Sequence, residues 1–116
     1  MDGSDIFNKG ASIPREVYLY NYDTEGPLDL DTLTEITFEV IHAITNRTLG
    51  TYTLGDSEVV KQDAANGLAW FHVGQTVSAT GKRGWYLLKV TTEETDASYE
   101  SNTRIRTGMS LCFKLR

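Results

Sequence analysis

Cysteine is nearly absent: the 116 residues contain one, Cys112. A lone thiol excludes an intrachain disulfide framework. Histidine and proline occur twice each, at His42 and His72 and at Pro14 and Pro27. No apolar run approaches the ~20 residues that a membrane-spanning helix needs. The opening Met1–Asp5 has neither a basic region nor an apolar stretch, so no secretory signal is expected. Synthesis in a reducing cytoplasm follows, and the sequon Asn46-Arg47-Thr48 then reads as accidental. Cationic side chains are outnumbered, 11 Lys and Arg against 16 Asp and Glu, for a net charge of -5. They are scattered except at Lys82-Arg83 and Arg104/Arg106. That balance argues against nucleic acid and against anionic membranes as partners.

What remains is an ordinary globular composition, 40% hydrophobic and 23% charged, of one-domain length. Its organisation is period two. Residues 1–14 read as a polar arm with Ile6 and Phe7 as anchors, frayed or loosely packed in a monomer. Residues 15–116 read as the domain. Arg15–Tyr20 alternates Val17 and Leu19 with Tyr18 and Tyr20. Thr34–His42 places Ile36, Phe38 and Val40 on one face. Thr48–Leu54, Glu58–Gln62, Leu68–Val73 and Trp85–Thr92 follow, with Asn66-Gly67 as a strong turn signal. Arg104–Leu115 is the longest alternation, and it predicts one face shared by Ile105, Thr107, Met109, Leu111, Phe113 and Leu115. No stretch has convincing helical spacing. Seven or eight short strands with polar turns predict an all-β, antiparallel sandwich in preference to a barrel.

The chemistry-bearing residues do not assemble into a catalytic or metal-binding pattern. His42 and His72 lack a third ligand at a fixed spacing. Cys112 lies mid-strand without a flanking glycine-rich elbow, and neither Ser78 nor Ser110 has one. Asp23, Glu25, Asp29 and Asp31 crowd one turn, and Glu93, Glu94 and Asp96 another, without EF-hand spacing. They read as solvated loop charges. Gly81-Lys82-Arg83-Gly84 leads into a strand and reads as a turn rather than a phosphate loop. The sequence therefore predicts no enzyme, no catalytic residue, no metal and no cofactor.

Apolar residues are in surplus on the strands. Leu68-Ala69-Trp70-Phe71 is apolar on both faces, and Trp85 and Leu87 lie opposite Tyr86, Leu88 and Val90. A sandwich strand normally keeps one face in water, so the excess predicts cover by the arm, a loop or another chain. The candidate interface residues are Ile6, Phe7, Tyr18, Tyr20, Ile41, Phe71, Trp85 and Leu87.

The segment Pro27-Leu28-Asp29-Leu30-Asp31, preceded by the strand Arg15–Tyr20 and followed by Ile36–Val40, Gly84-Trp85-Tyr86 and Ile105–Leu115, resembles the immunoglobulin-like domains of tailed-phage structural proteins. The likeness is greatest to the N-terminal domain of upper baseplate proteins, over most of residues 15–115. It implies an immunoglobulin-like sandwich without catalytic residues, made in the host cytoplasm and built into the virion near the baseplate or tail. Other virion proteins are then the partners, and a homo-oligomer is expected. The family's larger members carry a C-terminal extension that this sequence does not match, so a capsid-decoration or neck protein of the same fold is the alternative. A carbohydrate-binding module, with tryptophans and tyrosines stacking on sugar rings, is the other, and no motif supports a glycan partner.

Overall fold

A computed structural model describes residues 5–116. Among these residues ten strands and one short α-helix follow one another. They are β1 (Ile6–Phe7), β2 (Ile13–Tyr18), β3 (Tyr20–Asn21), β4 (Gly26–Pro27), β5 (Glu35–His42), β6 (Thr48–Thr53), β7 (Val60–Asp63), β8 (Leu68–Val73), α1 (Gln75–Thr80), β9 (Gly84–Thr95) and β10 (Thr103–Leu115). Three are two-residue bridges, which leaves seven strands of four residues or more. The chain is an all-β sandwich. One layer has the order β1-β10-β9-β5-β6, the other β2-β8-β7, with β3-β4 as a small ribbon beside them. Every pairing is antiparallel except that of β1 with β10.

The core follows from the period-two patterns. On β5, Ile36, Phe38, Val40 and His42 are buried, while the residues between them are half-covered. On β8, Ala69, Phe71 and Val73 turn inward against them. The Phe38 and Phe71 rings meet across the two layers at 5.0 Å, and Tyr52 joins Phe71 at 5.2 Å. Leu28, Leu30 and Leu33, from the connection between β4 and β5, close one end. Asp29 caps the 3-10 turn there, its Oδ1 accepting from Asp31 N at 3.0 Å.

Four sequence expectations change. The arm boundary at residue 14 falls inside β2. Ile13 is fully buried, and β1 pairs Ile6 with Lys114 and Phe7 with Leu115. Second, the connection after β8 contains a helix, α1. Its six residues are too few to show a 3.6 period, and Ser78 is the one it buries fully. The Ser78 hydroxyl donates to Ala11 O (2.7 Å) and accepts from Gly10 N (3.1 Å), which fastens the N-terminal segment to the helix. Third, Phe71 is core and not surface. Inward-facing strand residues need no outside partner once the opposite layer is in place.

Fourth, the long alternation of β10 is broken. The register with β9 shifts between Leu111 and Phe113, leaving Cys112 as the extra residue of a β-bulge. Phe113 and Leu115 are buried, but Ile105, Met109 and Leu111 are 58%, 58% and 49% exposed. One inserted residue reverses the parity of everything before it.

Candidate functional site

The two layers are unequal in length. β9 and β10 run for 12 and 13 residues, whereas β2 and β8 run for 6 each. The first part of β10 therefore outreaches the cover of the smaller sheet. Residues 107–111 are all exposed, although they lie in a regular strand. Between this uncovered stretch and the β2–β3 segment runs an open groove of about 500 Å³.

One wall of the groove is Val17, Tyr18, Leu19, Tyr20, Tyr22 and Asp23. The other is β10, with Arg104, Arg106, Gly108 and Ser110 directed inward, and Val90 and Thr92 line it from β9. The composition has physical consequences. Tyr18, Tyr20 and Tyr22 are 70%, 48% and 84% exposed. The rings of Tyr20 and Tyr22 meet edge to face at 4.8 Å. Arg104 donates to Asp23 and lies over the Tyr99 ring at 5.1 Å. Arg106 donates to Glu94 at 2.7 Å and sits 3.8 Å from Asp23. Exposed ion pairs add little stability. Here they hold two guanidinium groups in place along the groove, and the Asp23 hydrogen bond raises the Arg104 pKa above its ordinary value. Buried Thr92 Oγ1 finds no hydrogen-bond partner among the described residues. Rigid tyrosines and fixed arginines around an apolar trough are the groups that most often anchor protein interfaces.

The candidate interface residues occupy four places. Tyr18 and Tyr20 rim the groove. Ile41, Trp85 and Leu87 lie on the outer face of the larger sheet, where Leu111, Leu87 and Ile41 stand in one cross-strand row. Lys114 there covers the Trp85 ring at 5.6 Å. Ile6 and Phe7 form β1, with Phe7 packed edge-on against Phe113 at 6.3 Å and under the Arg15 guanidinium at 5.1 Å. Phe71 lies in the core. Arg104 and Arg106 stood out in the sequence as a pair of cations but not as part of a site, and Tyr22, Met109 and Leu111 escaped sequence reasoning as surface residues. A straight strand would have turned Met109 and Leu111 inward, and the bulge left no mark in the composition.

Both histidines and the cysteine have structural settings. Ile44 and Thr45 donate backbone N–H groups to His42 Nδ1 at 3.3 and 3.2 Å, which leaves Nε2–H to donate to Arg83 O at 3.0 Å. The His72 ring lies tilted against that of Trp70 at 5.3 Å. Cys112 is buried, and loss of solvation raises its thiol pKa to about 12, partly offset by the nearby Arg15 charge. Among the loop carboxylates, Asp23 forms an ion pair with Arg104, Asp31 with Lys61 and Glu94 with Arg106, and Asp29 and Asp96 accept backbone N–H groups of their own turns. Among the described residues no group of three or more His, Cys, Asp or Glu side chains could hold a metal ion. No helix among them is long and apolar enough to cross a membrane. No family model matches the chain, and comparison with curated proteins finds no similar one.

Proposed function

We propose that the protein is a non-catalytic assembly module, a structural component of a tailed-phage particle associated with the baseplate or tail, that docks onto other particle proteins through the groove between β2 and β10. The groove carries this reading. It joins exposed Tyr18, Tyr20 and Tyr22 to two fixed arginines beside a buried hydroxyl, that of Thr92, with no hydrogen-bond partner among the described residues. Tyrosine and arginine give large contact area at low entropic cost. The resemblance over Gly26–Leu30 and the strands around it supports an immunoglobulin-like particle protein, and the acidic net charge favours solubility before assembly.

Particles released by cells carrying the gene, purified on a density gradient and analysed by mass spectrometry, are expected to contain the chain in a fixed ratio to the other particle proteins. The double substitution Tyr20→Ala/Tyr22→Ala is expected to cut that incorporation at least about ten-fold, the loss of roughly 1.4 kcal/mol of docking energy. Absence of the chain from the particles, or undiminished incorporation of a folded double variant, would overturn the reading.

One observation favours a glycan as partner. Trp70, only partly buried, lies on the open face of the smaller sheet beside His72 and opposite Glu16. A polysaccharide stacking there would change tryptophan fluorescence. A flat response across a panel of polysaccharides removes this alternative.

A further inference from the structure

We infer that two copies of this chain join through the free edge of β10, aligned antiparallel about a two-fold axis at Thr107. This deepens the assembly reading, and rests on it, by naming a second copy as one of the partners.

β10 bonds β9 along one side only. On its other side, among the described residues, only β1 pairs with it as a strand, at Lys114 and Leu115. Residues 103–111 thus present a row of backbone donors and acceptors about 30 Å long at ~3.3 Å per residue. Natural edges are usually blunted by proline, lysine, a bulge or a short length. The β2 edge has Pro14, and the Arg15 guanidinium there reaches across to Cys112 O at 3.2 Å. The β7 edge is four residues with a lysine and an aspartate. In residues 103–111 there is no proline and no lysine, and the bulge comes only after them; the two charges that the stretch does carry, Arg104 and Arg106, are held by Asp23 and Glu94.

The side chains select a register. The free stretch 103–111 is centred on Thr107, so a dyad there pairs its whole length. Ile105 then faces Met109 of the second copy, and Thr103 faces Leu111. Each cation meets a small residue, Arg106 opposite Gly108 and Arg104 opposite Ser110. A dyad one residue earlier sets Arg106 against itself, and one two residues earlier sets Arg104 against Arg106. Like charges directly opposite are destabilising. The Thr107 register alone covers the full edge without such a conflict and without crossing the bulge. Ile105, Met109 and Leu111, each about half exposed in the monomer, then form two apolar clusters on the outer face, one on each side of the central Thr107 pair. The result is a ladder of two β10 strands at the centre of one sheet, with both smaller sheets on the same side.

Light scattering of the full chain across a concentration series should show the mass rising from 13.0 kDa toward twice that value. Thr107→Lys, which places two ammonium groups at the dyad, should weaken the dimer at least ten-fold without unfolding the chain. Thr107→Cys should give a disulfide-linked dimer under mild oxidation, since paired Cα atoms lie about 4.5–5.5 Å apart. The exposed loop variant Ser98→Cys should not. Hydrogen exchange should slow at 103–111 in the concentrated sample. A monomer at every concentration, or equal cross-linking of the two cysteine variants, would overturn the inference. Particle incorporation that persists in such a monomer would leave the assembly reading standing. A dimer absent from particles would defeat that reading and spare the dimer's geometry.

Discussion

Ser78 is the residue on which the N-terminal segment depends. Its buried hydroxyl joins Gly10 N, Ala11 O and Gln75 O. Ser78→Ala leaves those groups without their partner and is expected to cost about 1–3 kcal/mol. Thermal denaturation checks the loss, and faster hydrogen exchange at residues 6–13 locates it. Gly67 is constrained differently. Its φ of +73° lies in the left-handed region, and an added Cβ would run into the Leu19 and Leu28 backbone. Gly67→Ala is expected to destabilise by more than the 1–2 kcal/mol that left-handed backbone alone costs, measurable by urea titration. Asn66-Gly67 marks this turn in the sequence. No local signal marks the role of Ser78, because the two N-terminal groups that it fastens, Ala11 O and Gly10 N, are 67 and 68 residues away.

The Cys112 thiol adds a pH dependence. Its folded pKa is raised from 9.0 to about 12, so above pH 9 the unfolded chain releases a proton that the folded chain retains. The unfolded state then binds fewer protons, and stability falls as pH rises from about 9. The slope approaches about 1.4 kcal/mol per pH unit. Cys112→Val is expected to flatten the slope most clearly between about pH 8.5 and 9.5, because the raised tyrosines Tyr52 and Tyr86, ordinarily at 10.0, contribute increasingly above that range. Denaturant midpoints at several pH values would show it. Maleimide labelling of the folded chain at pH 8 should be slow for the same reason.

At the scale of elements, the bulge makes a sharp prediction. Leu111→Lys is expected to cost no more than about 1 kcal/mol, because Leu111 is half-exposed and a lysine there keeps its ammonium group in water. Phe113→Lys, two residues on, should cost more than about 4 kcal/mol, because it buries a charge without a partner. Equal effects would mean one unbroken alternation. β5 and β9 were legible from their sequences because each alternates apolar residues on one clearly marked face; β8 was legible as a strand, but it is apolar on both faces, so its sequence points Phe71 outward although it faces the core. β10 was legible as a strand, but its facing was not. A bulge is set by where the opposite layer ends, and that is a property of two sheets together. α1 escaped because six residues complete fewer than two turns. The groove was illegible for the same reason as the bulge: it exists because one layer is shorter than the other. Tyr18 and Tyr20 were visible as surplus aromatics, but Arg104 and Arg106 gained a role only when the β2–β3 segment was placed above them.

At the scale of the molecule, the two layers meet at Phe71. Its ring contacts Phe38 on β5 and Tyr52 on β6. Phe71→Ala should cost about 3–5 kcal/mol, and a calorimetric scan should show one cooperative transition shifted downward as a whole. A second, lower transition would mean that the layers melt separately.

The parallel bridge between β1 and β10 has a mechanical consequence. Ile6 and Phe7 run beside Lys114 and Leu115 in the same direction, and Arg116 N donates to Phe7 O at 3.0 Å. A tug on the chain before β1 and after β10 pulls these two strands past each other, so their hydrogen bonds are loaded together and not one at a time. Tension delivered through neighbouring segments would meet its resistance at this clamp, while the antiparallel hairpins behind it stay unstrained until it slips.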